Sequence, residues 1–427
     1  MSDLEHIVTA IPGPRSRELA RRLAAVESRG VTYLGDDFPV FWERAEGALV
    51  TDADGNRFLD LTSAFGVALT GHANPRVAAA IAGQAELLGH GMGDVHPTEL
   101  KTRLLERLAA IAPLPDARGF FCSSGAEAVE FALKTALLAT GRPNALAFEG
   151  SYHGLTHGAL EVTGIARFRA PFLAQLRNAT TFVQYPATAE AGEAALEIVA
   201  AALSDDPAIG AVIVEPIQGR AGVIVPPDGF LGALRMQCDA NGALLIVDEI
   251  LTGFGRTGTV FAVEHEDVVP DLLCLGKALA GGFPLSAVVG SAGVMDAWPP
   301  SAGEALHTST YLGNPMGCAA ALANLDEIER IDVPGRARAI GGRIAARIAP
   351  LSTSGAIREL RGRGALWGVV CESGEAARAA SVRALHSGVI VLQSGVDGDV
   401  LTVAPPVTIA DDQLDRALDL LAAAVAP

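Results

Sequence analysis

Residues 243–249 read ALLIVDE and residues 272–290 read LLCLGKALAGGFPLSAVVG. In the first stretch an apolar run closes on Asp248 and Glu249, with none of the alternation that marks a strand wetted on one face. That is the pattern of a fully buried parallel strand ending in carboxylates. In the second stretch a shorter apolar run, Leu272 to Leu275, delivers Lys277 into a glycine-rich turn. Open α/β sheets gather ligand groups at the carboxyl ends of their strands, so both charges belong at one edge of a sheet. Taken alone, Lys277 reads as a lysine snorkelling to solvent from a loop. Asp248 changes that reading, because a buried carboxylate is costly until it meets a cation. A lysine stripped of water loses basicity until its neutral amine becomes a nucleophile.

A pyridinium nitrogen is one cation that would satisfy Asp248. An imine from Lys277 would hold the same ring by its aldehyde carbon. Together the two residues describe pyridoxal 5'-phosphate, whose usual requirements are a Schiff-base lysine and an acidic partner for the ring nitrogen.

Working outward, short apolar strands are expected near 118–122, 145–148, 209–214, 243–248, 272–275 and 286–290, with helices near 98–111, 125–139, 190–204 and 229–241. This alternation predicts an α/β fold: a mostly parallel sheet flanked by helices. A helix is expected over Ser16 to Ser28, and a hairpin around Asp54-Gly55. After Asn314-Pro315 a long helix (about 316–330) leads into a tail with a helix near 336–348, strands near 364–371 and 399–403, and a last helix from Asp411. The expected division is an N-terminal arm and hairpin over 1–70 packing with the small domain, a large cofactor-binding domain over 71–329, and a smaller α+β C-terminal domain over 330–427.

The 427 residues exceed one ordinary core, which agrees with two domains. A balance of 32 basic against 49 acidic residues argues against nucleic acid and anionic membrane as partners. The five cysteines form no C-x-x-C pair and read as small core residues of a reducing, cytoplasmic compartment. No run of 18 apolar residues suggests a membrane span. His153 and His157 are four apart, but no glutamate lies between them and Gly154 breaks a helix there, so no metal site is expected.

Several stretches in order, 123-SSGAEAVEFALKTA-136, 149-EGSYHG-154, 215-EPIQG-219, 248-DEILTGFGRTG-258, 271-DLLCLGKALAGGFPLSA-287, 308-TSTYLGNP-315 and 361-RGRGALWG-368, resemble the class III pyridoxal-phosphate aminotransferases of the aspartate-aminotransferase fold, fold type I. The resemblance runs from about Gly47 to Ile409. It implies that Lys277 is the Schiff-base lysine and general base, and that Asp248 partners the ring nitrogen with Glu215 in the same network. It further implies that Ser124, Gly125 and Ala126 cradle the phosphate at a helix start. Tyr152 and Ile250 would take opposite faces of the ring, with His153 beside them. Thr310 would reach the phosphate of a partner subunit, making the active unit a homodimer. The activity implied is transfer of an amino group from an ω-amine or amino acid to a keto acid. The same residues also support a racemase, epimerase or aminomutase.

Three positions depart from the glutamate-using members, such as the ornithine and 4-aminobutyrate enzymes. Their arginine after Tyr-His-Gly is Leu155 here, their glutamate after Gln-Gly is Arg220, and their arginine before the C-terminal proline motif is Thr402 in 399-DVLTVAPPVTI-409. Bidentate arginines are what recognise a dicarboxylate. The expectation is therefore that 2-oxoglutarate is not bound in the usual way, with an acceptor such as pyruvate in its place. Arg220 reads equally as a carboxylate ligand or as a surface arginine. Leu251 stands where those enzymes carry a glutamine.

Overall fold

The computed structural model describes residues 4–32 and 35–426. The chain forms two compact units, one from residues 75–337 and one from the two flanking segments, 1–74 and 338–427. In the flanking unit a helix spans Pro14–Ala24, and strands β1 (Trp42–Glu46), β2 (Leu49–Asp52) and β3 (Arg57–Asp60) form an antiparallel meander. The β2–β3 turn is the expected hairpin. Gly55 takes φ +86°, and Asp52 Oδ1 accepts the N–H groups of Asp54 (3.0 Å) and Asn56 (2.8 Å). Asp54 in turn accepts the N–H groups of Arg15 (2.7 Å) and Ser16 (2.8 Å), placing an anion at the positive end of the helix.

The 75–337 unit carries the large sheet. Its strands are β4 (Ala117–Cys122), β5 (Asn144–Phe148), β6 (Thr180–Val183), β7 (Ile209–Val214), β8 (Leu244–Asp248), β9 (Leu272–Leu275) and β10 (Ser286–Ser291). Their spatial order is β4-β10-β9-β8-β7-β5-β6, and β10 alone runs antiparallel to its neighbours. Every residue of β7 and β9 is buried, as the unbroken apolar runs require. The helix Gly125–Thr140 lays Ala128, Val129, Ala132 and Ala136 on the sheet, a stripe of mostly small side chains at helical spacing. Besides the short helices His157–Val162, Ala166–Arg169 and Ala292–Met295, this unit has two further elements that the sequence pattern does not predict. The edge strand β6 is four residues long and only its last, Val183, is buried, too little pattern to read. The helix Pro75–Leu87 buries only Val77 fully, so its apolar stripe is too thin to register.

The second segment of the flanking unit adds β11 (Glu359–Arg363), β12 (Leu366–Val370), β13 (Val389–Ile390), β14 (Leu392–Ser394) and β15 (Val400–Val403). Four of these pair antiparallel in the order β11-β12-β15-β14, while β13 joins β3 in parallel, Val389 opposite Leu59. Val50, Phe58, Leu385 and Ile390 make a core from both ends of the chain. The helices Gly374–His386 and Asp411–Val425 complete the segment. Among the described residues no helix is long and apolar enough to cross a membrane.

Candidate active site

The carboxyl edge of the large sheet collects the charges. Asp248 is the last residue of β8, Glu215 follows β7 directly, Tyr152 and His153 follow β5, and Lys277 stands two residues beyond β9. Asp248 lies opposite Cys274 in the β8–β9 register, and Glu249 N–H donates to the Cys274 carbonyl at 2.9 Å. The lysine and the aspartate therefore leave adjacent parallel strands at the same level. Short connections at strand ends are what bring residues far apart in sequence together here.

Asp248 is 4% exposed and both its oxygens are engaged. Oδ1 accepts the Ile250 N–H at 3.0 Å, and Oδ2 meets His153 Nδ1 at 2.8 Å. The other histidine nitrogen, Nε2, is buried with no partner among the described residues. His153 is held from behind: Thr163 Oγ1 accepts its N–H at 3.1 Å and donates to the Gly154 carbonyl at 2.9 Å. Gly154 takes φ +127°, and a Cβ there would meet Ala126 Cβ at 2.6 Å. Only glycine lets this loop close on the helix start.

Glu215 Oε2 accepts the Tyr152 N–H at 3.0 Å and Oε1 the Gly219 N–H at 3.4 Å. Burial pushes its carboxyl up to about 7, with the nearby Asp248 charge adding to the rise and His153 opposing it. The ring of Tyr152 meets Phe168 edge-on at 5.6 Å. Burial raises the phenol's pKa, and Arg220 works in the opposite direction.

The chain has three lysines, Lys101, Lys134 and Lys277. Lys101 Nζ donates to the Gly93 carbonyl at 2.6 Å, and Lys134 Nζ meets His307 Nδ1 at 3.1 Å. Lys277 makes no hydrogen bond or ion pair with any described residue. Desolvation lowers its pKa; Asp248 and Glu215 counter that, while Arg220 and Arg256 add to it. Its backbone sits at φ +42°, a left-handed conformation costly for a side chain with a Cβ. A half-buried, desolvated amine with no partner among the described residues, in a strained turn, is expensive unless something else completes it.

The helix Gly125–Thr140 opens beside these groups. Ser124 caps it by accepting the Glu127 N–H, and the N–H groups of Gly125 and Ala126 find no acceptor among the described residues. Ser286 Oγ, on β10, donates to the Ser124 carbonyl at 2.6 Å and fixes the turn. A Cβ on Gly125 would meet Ile250 Cδ1 at 2.8 Å, so Ile250 fills the space between the helix start and the strand ends. Two open N–H groups at a helix start, an unpaired amine and an engaged buried carboxylate suit a phosphate, an aldehyde and a ring nitrogen in turn. Pyridoxal phosphate fits the donor set.

Nine of the ten candidate residues thus share one edge. Thr310 does not join them. It is exposed, in a segment where Thr308 Oγ1 donates to Asp94 at 2.7 Å. Three supporting residues escaped the sequence reading: Thr163, Phe168 and the fully buried Arg256. Nothing local marks Thr163 or Phe168. The scarcity of lysine, visible in the composition, would have strengthened the choice of Lys277. No group of His, Cys, Asp and Glu able to hold a metal ion occurs among the described residues.

The family model for class III aminotransferases matches residues 32–425. A 4-aminobutyrate aminotransferase of Mycobacterium leprae is 38% identical over 438 residues, covering 97% of this chain and 96% of that protein. An acetylornithine aminotransferase of Methanopyrus kandleri is 40% identical over 388 residues, covering 91% and 95%. Among solved structures, the PLP-bound form of an amine transaminase from an uncultivated Pseudomonas species superposes with a TM-score of 0.87 at 30% identity, covering 94% of this chain and 99% of that one. An ornithine aminotransferase of Toxoplasma gondii superposes equally, TM-score 0.87 at 28% identity, covering 96% and 94%.

Fold and site together define a fold type I pyridoxal-phosphate enzyme. The chain belongs to the class III aminotransferases. It transfers amino groups between small-molecule amine donors and keto acid acceptors.

Proposed function

We propose that Lys277 is the residue that binds the cofactor aldehyde and then, released by the incoming amine, carries the proton between the substrate carbon and the cofactor. The observation that carries this is the contrast among three lysines: Lys101 and Lys277 are both desolvated, but Lys277 alone has no partner among the described residues. Its lowered pKa suits both tasks, since a neutral amine attacks and a weakly basic one releases its proton again. When bound, pyridoxal phosphate supplies an electron sink that stabilises the carbanion left by proton removal.

Asp248 would keep the ring nitrogen protonated, with His153 orienting its carboxylate and Glu215 adding negative potential behind it. Gly125 and Ala126 N–H groups, with Ser124, would hold the phosphate; Tyr152 and Ile250 would hold the ring. Thr310, exposed and without a side-chain partner among the described residues, would serve the phosphate of a second copy in a homodimer. The donor is an ω-amine or amino acid and the acceptor a keto acid such as pyruvate. Five buried free cysteines suit a cytoplasmic setting.

Borohydride reduction of the holoenzyme followed by peptide mapping tests the assignment. The pyridoxyl label is expected on Lys277. Its appearance on Lys101 or Lys134 would refute the reading.

A further inference from the structure

Arg220 occupies a turn whose every other part is anchored. Gln218 and Ile224 exchange two backbone hydrogen bonds of 3.0 Å, and the N–H groups of Gly222 and Val223 both return to the Gly219 carbonyl, at 3.1 and 3.2 Å. Gln218, Gly219, Ala221 and Val223 are buried. Gln218 Nε2 donates to the Glu149 carbonyl at 2.9 Å, and a Cβ on Gly219 would meet Leu251 at 2.1 Å. Glu215 ties this turn to the Tyr152 loop by accepting a backbone N–H from each. Arg220 is thus the half-buried side chain of a rigid support that shares its anchor with the site.

Among the described residues no carboxylate acts on it. Arg220 makes no hydrogen bond or ion pair with any described residue. Arg167 repels it, the neutral phenol of Tyr152 lies within its reach, and its field extends to Lys277. A half-buried guanidinium held near another is costly without a counter-ion, and its planar fork takes a carboxylate by two parallel hydrogen bonds, the anionic group that amino acids and keto acids carry. By contrast, Leu155, on the far side of His153 in sequence, is an exposed apolar residue and offers no such contact.

We propose that Arg220 is the carboxylate receptor of this enzyme, holding the acid group of the amino donor and, in the return half-reaction, that of the keto acid. This inference rests on the placement of the reacting amine at Lys277, and it names the substrate class: amino acids and keto acids in preference to simple amines.

The test uses the holoenzyme, with butanoate and its neutral isostere butanamide titrated calorimetrically. Wild type should bind butanoate more tightly than butanamide. Arg220→Gln should weaken butanoate by about 10- to 100-fold, the usual loss for a charge-assisted hydrogen bond, and leave butanamide unchanged. Arg220→Lys, which keeps charge but not the fork, should fall between. Wild type that fails to discriminate the two ligands, or a Gln variant that still does, overturns the proposal. Cofactor absorbance and borohydride labelling of Lys277 are read on the same samples. Their retention with lost butanoate discrimination isolates Arg220, whereas label on another lysine sinks the site assignment instead.

Discussion

The two ends of the large sheet treat their charges in opposite ways. At the amino end Asp271, just before β9, meets Arg235 at 2.5 Å and accepts the Leu245 N–H at 2.7 Å; Arg235 also reaches Asp239 at 2.6 Å. Arg142 donates to the carbonyl of Asn241 at 2.8 Å and to those of Ile209 and Gly242 at 3.4 Å. Each of these charges closes a loop within the fold. At the carboxyl end Asp248 is held by His153 and the Ile250 N–H, but Lys277 and Arg220 have no partner among the described residues and burial pushes the Glu215 carboxyl up to about 7. The same sheet supports both because its buried strands over-determine the positions of their ends. The amino-end pairs hold the fold; the unpaired cations beside Asp248 at the carboxyl end mark a place for a ligand.

If that contrast is right, a carboxyl-end variant loses activity and keeps stability, while an amino-end variant does the reverse. The largest effect is expected for Lys277→Ala, which should lower single-turnover rates with any amine donor by at least about 10⁴-fold, with the apo-protein's melting temperature unchanged or higher. A Lys277→Ala enzyme that turns over within tenfold of wild type would break the comparison outright. Asp248→Asn should cost roughly 10²- to 10³-fold in kcat, read in the same stopped-flow assay, because it removes a preorganised charge opposite the ring nitrogen.

At the other end, Asp271→Ala leaves the mostly buried Arg235 with only the exposed Asp239 as a partner and strips the Leu245 N–H of its acceptor, and should destabilise the protein by about 2 kcal/mol in urea unfolding, with kcat unaltered. Equal losses in both assays for this variant would show that the ends are not separable.

The smallest effect sharpens the comparison at neighbouring residues. Glu249 is fully buried and turned away from Asp248, accepting the Val263 N–H at 2.9 Å and a hydrogen bond from Thr252. Burial pushes its carboxyl up to about 7, against 4.5 when unfolded. Because the folded value is the higher one, its stabilising contribution is fully present below pH 4.5 and is lost as pH rises through 7. The loss is on the order of 3 kcal/mol at most. Glu249→Gln should flatten that part of the stability profile between pH 5 and 8 in chemical denaturation. An unchanged slope would mean the proton is held elsewhere.

Much of this was legible before the structure. Asp248 and Lys277 stand at the ends of apolar runs whose burial is written in their composition, and β7, β8 and β9 begin and end within a residue of the expected places. The hairpin at Asp54-Gly55 was equally plain, since its turn chemistry is local. What escaped was held by distant partners. Thr163 matters because its hydroxyl bridges His153 and Gly154, ten and nine residues away, and β6 exists because β5 lies beside it.

Apolar periodicity and glycine placement determined the strand ends, and with them which charges could reach a common edge. Those are consequences of backbone sterics and of the cost of wetting aliphatic surface, and both act on nearest neighbours along the chain. Whether a charge at that edge finds a partner is a matter of three-dimensional distance. Only the folded molecule decides that Asp271 is neutralised, that Asp248 meets His153, and that Arg220 and Lys277 find no partner among the described residues.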